Sequence, residues 1–346
     1  MNILFHSNQI CEQGTEIALF DYALGNKNIL KNHSFIAAPK TRVSDIDVLN
    51  KFKQNFPVFL YDSHKELHDF AEANKIDLIY KIIHGKRKEE IFHEKIPHFI
   101  HCVFSTKAKH GTFYCPISPF LNRWFRTAYP VLPHIVKKFP GNTQTLRETL
   151  GIPHDAVVFG GYGGKGSFNI PFVHKTIIEV ASKKNIYFIF MNFNSFINKD
   201  NSYGRDNIIF LPKNIDINYK ETFINTCDAM IHARSDGETF GLSIAEFSVK
   251  NKPVITWSPN LVHNTKFYFE THLKYFLRRG YIYATAHLEF LGEKAIRYSS
   301  EKDLSDILFN LKEKYLQNVN YDCYSETFNE EKVMRAFETI YNGSNL

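Results

Sequence analysis

Two glutamates, Glu238 and Glu246, stand eight positions apart with Gly241 between them in the stretch DAMIHARSDGETFGLSIAEFSVKNKPVIT, residues 228–256. Carboxylates accept hydrogen bonds from hydroxyl groups, and a helix start with a glycine at the closest approach presents unpaired backbone N–H groups that suit a phosphate. Ala229–His232 is an apolar run of strand type, Ala233–Thr239 a small polar loop, Phe240–Val249 a helical stretch and Pro253–Thr256 a second strand. At ~3.6 residues per turn Glu246 lies about a turn and a half inside that helix, while Glu238 stays in the loop before it. Both acids then border one pocket, into which the N–H groups of Phe240, Gly241 and Leu242 point. The chemistry this supports is a phosphate held between two hydroxyl-binding acids.

The segment SDGETFGLSIAE followed by NKPVI resembles the donor-site signature of retaining glycosyltransferases of the GT-B fold, family 4 in particular. That resemblance implies an α/β chain with two Rossmann-like domains facing across a cleft and a C-terminal helix returning to the first domain. It implies a hexosyl- or pentosyltransferase that moves a sugar from a nucleotide-diphosphate sugar to a glycan, glycolipid or protein-linked hydroxyl, with no cofactor and no metal. Glu238 takes the place beside the donor sugar and Glu246 the place on the nucleotide ribose. Gly163, Gly164, Lys165, Arg234, Thr239, Phe240, Gly241 and Leu242 are the further donor-site candidates, and Leu211, Pro212 and Lys213 open the loop that cradles the base in the family. Gly14, which opens a helix after the first strand, suits close approach of a diphosphate or sugar and equally a plain N-terminal turn. Related enzymes carry a histidine near a strand end of the first domain that reaches the donor sugar. His101 is the first choice here, followed by His110 and His84. Relatives also place an arginine where this chain has Gly161, and a Lys-Gly pair that Lys165-Gly166 fits only with a shortened loop. Arg234, close to the motif, is the candidate replacement for the missing charge.

These residues need a scaffold, and the rhythm of the chain supplies one. In the first half Asn2–Phe5, Ser34–Ala38, Val58–Tyr61, Asp77–Ile82 and His98–Phe104 read as strands, with helices at Glu16–Ala23, Lys65–Asn74 and Lys88–Glu94. This is the βαβ pattern of a parallel sheet, which binds ligands at the carboxyl ends of its strands. Residues 127–155 form a proline- and glycine-containing linker around a short helix, Thr143–Leu150. The second half follows as strand Ala156–Phe159, helix Phe172–Ser182, strands Ile186–Met191 and Asn207–Leu211, and helix Lys220–Thr226. Beyond Trp257 come a mixed segment and helices at Asp303–Lys314 and Glu330–Tyr341. The expected domains are 1–142 on the acceptor side, 143–322 on the nucleotide-sugar side, and the returning helix in 323–346.

Other motifs point elsewhere and stop short. Gly161, Gly163 and Gly166 satisfy G-x-G-x-x-G after a strand, but the next strand ends in Asn192, Phe193 and Asn194, without the acid an NAD ribose needs. Gly164-Lys165 is followed by Gly166 rather than Ser or Thr, so no P-loop forms. A glycine-rich loop wrapping a diphosphate, with Lys165 supplying charge, survives beside a plain turn. Asp45-Ile46-Asp47 has the letters of a metal-binding D-x-D motif but stands where a helix cap belongs.

At 346 residues and 44% hydrophobic the chain suits two folded domains. It lacks both an apolar run of membrane-span length and the basic start of a signal peptide, so a cytoplasmic location is expected. The five cysteines are odd in number and widely spaced, which indicates neither a disulfide framework nor a zinc site. Residues 1–142 hold 19 Lys and Arg against 13 Asp and Glu, the whole net charge of +6. Such a surplus suits an anionic acceptor or weak association with a membrane surface, and equally an ordinary solvated face. Nucleic acid is not an expected partner, because basic clusters interleaved with stacking aromatics are missing. A non-catalytic sugar-nucleotide-binding or scaffold protein is the alternative from another class, and a phosphorylase or sugar-nucleotide epimerase a third.

Overall fold

The computed structural model describes residues 1–11, 14–183, 185–197, 206–259, 283–317 and 319–343. They fall into two compact units, one of Met1–Val136 with Thr327–Leu346 and one of Lys137–Glu326.

In the first unit β1 (Asn2–His6), β2 (His33–Pro39), β3 (Val58–Tyr61), β4 (Leu78–Ile83), β5 (His98–Cys102) and β6 (Phe113–Pro116) form one parallel sheet in the order β3-β2-β1-β4-β5-β6. Every residue of β4 and β5 is buried, as expected of strands covered on both faces by crossover helices. Those helices are α1 (Gly14–Asn28), α2 (Ile46–Asn55), α3 (His64–Ala73) and α4 (Pro119–Phe125). Asp45 caps α2 by accepting from the N–H groups of Asp47 and Val48, so its carboxylate serves the helix start and the D-x-D letters are a cap. Ser63 caps α3 by accepting from the Glu66 N–H, while Glu66 accepts in return from the Asp62 N–H at 3.1 Å.

The second unit repeats the plan. Its strands are β7 (Val157–Tyr162), β8 (Ile186–Met191), β9 (Ile208–Leu211), β10 (Ala229–His232), β12 (Val254–Trp257) and β14 (Ile296–Tyr298), parallel in the order β14-β12-β10-β7-β8-β9. A two-residue pair, β11 (Gly237–Glu238) with β13 (Ala284–Thr285), stands apart from that sheet. Among its described residues the helices are α5 (Pro171–Ala181), α6 (Ile217–Thr226), α7 (Leu242–Val249), α8 (Ala286–Leu291), α9 (Glu301–Phe309) and α10 (Leu311–Lys314), and the short α11 (Ser325–Phe328) spans the division of the chain after Glu326. The last helix, α12 (Glu330–Tyr341), belongs to the first unit.

Several local expectations change. Lys88–Glu94 is an irregular loop rather than a helix. Its groups are engaged sideways: the Glu89 N–H donates to His110 Nε2 at 3.2 Å, and the buried Lys81 ammonium meets the Glu89 carboxylate at 3.2 Å. Thr143–Leu150 forms turns, closed by Gly151 at φ +64° and by Arg147, whose Nη2 pairs with Asp228 at 3.0 Å. The helix expected over Asp303–Lys314 breaks at Asn310 into α9 and α10. The first division of the chain falls after Val136 instead of 142, because the N–H groups of Gly141 and Asn142 donate to the buried Glu221 of the second unit at 3.0 Å. β6 and α4 appear where no element was expected. Most of the mixed segment beyond Trp257 lies outside the described residues. All five cysteines are free thiols.

The α12 helix completes the first unit's core. Its Phe337 is fully buried among the rings of Tyr22, Tyr80 and Phe99, with centroids 5.8, 5.5 and 4.9 Å away. A Cβ on Gly25 of α1 would sit 2.6 Å from Met334 Cγ, so the two helices touch where α1 has no side chain. Truncating a buried phenylalanine leaves a cavity and costs about 3–5 kcal/mol. Phe337→Ala is therefore expected to shift the first unit's urea unfolding by about that amount, and a change under ~1 kcal/mol would show that α12 is not part of this core.

Candidate functional site

The sheet of the second unit brings β7, β10 and β12 side by side, and the loops leaving their carboxyl ends carry the acids. Close packing forces glycine into the end of β7. A Cβ at Gly160 would lie 2.2 Å from Cys227 Sγ, and one at Gly161 would lie 2.9 Å from the Ile231 carbonyl oxygen. An arginine at Gly161 has no room here, which accounts physically for the charge missing at that position.

The glycine-rich loop that follows is held by its backbone. Asn192 Nδ2 donates to the Gly163 carbonyl and the Asn194 N–H to the Lys165 carbonyl, both at 2.9 Å, and Ser167 Oγ donates to the Gly164 carbonyl at 2.7 Å. Gly164, Lys165 and Gly166 are exposed, and the Lys165 ammonium has no partner among the described residues. Asn169 joins this loop to the one after β10: its N–H donates to the Ala233 carbonyl at 2.9 Å, and its Oδ1 accepts from the Ser235 N–H at 2.8 Å.

Glu238 is fixed from three sides. Gly237, at φ +65°, lies so close to Ala284 that a Cβ would come within 2.0 Å of that carbonyl oxygen, which pins β11 to β13. Arg234 Nη1 donates to both carboxylate oxygens, at 3.0 and 3.1 Å, and His232 Nε2 lies 3.6 Å from Oε1. Burial pushes the carboxyl upward, but Arg234 and then His232 outweigh it and bring its pKa down to about 2 from 4.5. Glu238 is thus an anion at neutral pH.

Behind it runs a buried chain. His232 Nδ1 is 2.9 Å from Thr256 Oγ1, which is 3.2 Å from His287 Nε2. A hydroxyl has one proton, so Thr256 donates to one imidazole and accepts from the other. The order that serves the carboxylate is His287 Nε2–H to Thr256, Thr256 O–H to His232 Nδ1, and His232 Nε2–H toward Glu238. Burial, then the neighbouring His232, lowers His287 to about 3, which keeps it neutral.

Gly241, at φ +83°, caps α7, and the Ala245 N–H donates to its carbonyl at 2.9 Å. The helix therefore begins at Leu242, two residues later than expected. Its first turn has no side-chain cap, so the open amides are those of Leu242, Ser243 and Ile244 together with the expected Gly241. Phe240 is an anchor, buried against Phe290 at 5.4 Å and Tyr324 at 5.9 Å, and Thr239 is buried beside it. Inside α7, Glu246 accepts from the Tyr162 hydroxyl at 2.5 Å and from Lys220 Nζ at 2.7 Å. It thereby links β7, α6 and α7. Leu211, Pro212 and Lys213 sit at the carboxyl end of β9, the outer strand of the sheet, with Pro212 and Lys213 exposed.

The first unit holds the remaining expected residues. His101 is fully buried, with Nδ1 2.7 Å from the Tyr80 hydroxyl and Nε2 2.7 Å from the Leu132 carbonyl, and burial lowers it to about 4. Both ring nitrogens are consumed by the core, so His101 is a packing residue and not the catalytic histidine expected from the sequence. His110 is likewise occupied, by the Glu89 N–H and the Ala108 carbonyl. His84 is exposed directly after β4, against the Phe104 ring at 4.8 Å, and is the one of the three free to meet a ligand. Gly14 is exposed at the start of α1. Sequence reasoning missed His232, Thr256, His287, Tyr162 and Lys220. A polar residue at the carboxyl end of an otherwise apolar strand was the available signal for His232, Tyr162 and Thr256; His287 had none.

The whole chain matches solved structures. A crystal structure of Anabaena Alr3699/HepE with UDP-glucose superposes with a TM-score of 0.70 at 14% identity, over 99% of this chain and 100% of that one. A glycosyltransferase from Rickettsia africae ESF-5 gives 0.67 at 12%, over 99% and 98%. WaaG, a glycosyltransferase of lipopolysaccharide biosynthesis, gives 0.63 at 11%, over 99% and 100%. The fold is GT-B, with the two Rossmann-like units that the sequence resemblance implies. No protein-family model and no curated protein matches the chain.

The Glu238 carboxyl is depressed in the folded state, so its contribution to stability is present above its ordinary value of 4.5 and lost as pH falls through that value toward 2. Arg234→Ala removes the main stabilising partner, at a cost of about 3 kcal/mol at neutral pH. Urea unfolding should show this gap between wild type and variant closing as pH falls from 4.5 toward 2. A gap that does not vary with pH would mean that Arg234 acts through packing alone.

Proposed function

We propose that the chain is a retaining, metal-independent glycosyltransferase that moves a hexosyl or pentosyl group from a nucleoside-diphosphate sugar to the hydroxyl of a glycan or glycolipid acceptor. The observation that carries this is the placement of Glu238 and Glu246 on either side of the uncapped start of α7, at the carboxyl edge of a Rossmann-like sheet. The UDP-glucose in the Anabaena relative makes a uridine nucleotide the first donor to test.

In this reading the diphosphate lies against the amides of Leu242, Ser243 and Ile244, and Lys165 adds a cation from the exposed loop. Arg234 spends Nη1 on Glu238 and offers its remaining N–H groups as the second cation. Glu238, ionised, accepts from hydroxyls of the donor sugar. Glu246 trades one of its present contacts for the ribose, and the exposed Pro212 and Lys213 border the base. Bond cleavage puts positive charge on the sugar ring and negative charge on the departing diphosphate. Fixed donors at the phosphates therefore contribute most to the rate. The acceptor hydroxyl attacks from the face the diphosphate leaves and passes its proton to it, so configuration is kept without a protein nucleophile. The basic first half suits a polyanionic acceptor or weak attachment to an anionic lipid surface. No described helix is long and apolar enough to cross a membrane.

A second reading is favoured by one observation: both acids are already neutralised inside the chain, Glu238 by Arg234 and Glu246 by Lys220. Such a site could bind a sugar nucleotide without turning it over. A thermal-shift screen of UDP-, GDP- and ADP-sugars, followed by assay of donor hydrolysis and transfer in EDTA, separates the two. A matching ligand at 100 times its Kd stabilises by about 2.7 kcal/mol. Transfer or hydrolysis that falls by ~10²-fold or more in Glu238→Ala and Arg234→Ala is expected. Binding with no turnover in wild type would establish the second reading, and wild-type turnover in Arg234→Ala would remove that residue from the phosphate site.

A further inference from the structure

Between β4 and β5 the chain runs from 84 to 97 without helix or strand. Loops of this length inside a compact α/β unit are uncommon and usually serve a purpose. This one is tied to α3 by side chains. His64 Nδ1, in the helix, meets Glu90 Oε2 of the loop at 2.9 Å, and His93 of the loop stacks on His68 of the helix, with centroids 4.2 Å apart and planes 14° from parallel.

The second contact is chemically unfinished. His93 is only 4% exposed, and neither of its ring nitrogens has a hydrogen-bond partner. A buried imidazole without partners is costly and calls for an explanation. Its Nε2 is aimed at Glu72 Oε1, 3.7 Å away, and the same oxygen lies 3.9 Å from His68 Nε2. Both distances are too long for hydrogen bonds. His68 and Glu72, four residues apart, share one face of α3, and the ligand atoms of all three residues lie within 4.8 Å of one another.

We propose that His68, Glu72 and His93 form a binding site for a zinc-class divalent cation, which fastens the 84–97 loop to α3. Two imidazoles and one carboxylate are the donor set such ions take, with an open fourth position for water. Bonds of about 2.0–2.1 Å put tetrahedral ligand atoms about 3.3 Å apart, so the two distances to Glu72 Oε1 close by about half an ångström on binding and the exposed His68 ring turns out of its stack on His93 to face the ion. The side chains of His68 and Glu72 are 41% and 56% exposed, which leaves the ion a path in and the ligands freedom to close. Asp69 Oδ1, 3.8 Å from His68 Nδ1, stands on the ring's far side, where a carboxylate orients a ligating imidazole. All of these residues lie in the first unit, so the site is independent of the sugar-nucleotide assignment.

The test is calorimetric titration of the chelator-treated full-length chain with Zn²⁺, with Co²⁺ as a spectroscopic probe. One tight site per chain is expected, with a visible Co²⁺ spectrum of four-coordinate type. Glu72→Gln, a change at the surface that leaves the fold intact, and His93→Ala should each weaken binding more than about tenfold, and Asp69→Asn by about tenfold. His154→Ala, at an exposed histidine of the second unit, should leave it unchanged. Zn²⁺ should also slow tryptic cleavage at the exposed Lys86, Arg87 and Lys88 in wild type and not in Glu72→Gln. Absence of a tight site in wild type, or binding by Glu72→Gln equal to wild type, overturns the proposal.

Discussion

The second unit depends on a carboxylate kept charged where burial alone would neutralise it. Glu238 sits in a short strand pinned by a glycine, with the Arg234 guanidinium across both of its oxygens and the His232 imidazole at its side. Breaking such a buried pair leaves an uncompensated charge, so the pair is costly to disturb. Its value lies in what it fixes. The loop from Ala233 to Gly241 cannot relax into another shape without moving Arg234 away from Glu238, Gly237 away from Ala284, and Asn169 away from Ser235.

The same constraint places the helix start. Gly241 takes a backbone conformation that other residues rarely adopt, and α7 leaves it with three amides open and an acid one turn further on. Glu246 is braced from below by Tyr162 and Lys220, which gather β7 and α6 under the same helix. Anion-seeking amides, an exposed lysine on a glycine-rich loop and two fixed carboxylates thus arise from one sheet edge. Three short glycine-dependent contacts, at Gly160, Gly161 and Gly237, let its strands and loops approach closely enough.

Much of this was legible in the sequence, for a physical reason: the α/β rhythm, the E-x7-E spacing and the glycine at the helix start are local patterns that local physics reads directly. β1, β4, β8 and β10 fall within a residue or so of expectation because largely buried parallel strands are nearly continuous apolar runs. What was not legible depended on tertiary partners. His101 is the first choice because related enzymes carry a histidine near a strand end of this domain, yet Tyr80 and Leu132, distant in sequence, take both of its nitrogens. Lys88–Glu94 has helical composition but is drawn into a loop by Lys81, His64 and His110. His287 reaches Glu238's support through Thr256, across 31 residues that no spacing rule connects.

The claim that the α7 start is a diphosphate cradle is tested most directly by amide chemical shifts in the intact chain during titration with nucleoside diphosphates. The account predicts that Leu242, Ser243 and Ile244, together with Lys165 and its flanking glycines, shift in concert with one dissociation constant, and that Glu246→Ala weakens that constant. Saturable binding that leaves those amides unmoved while others shift would contradict it.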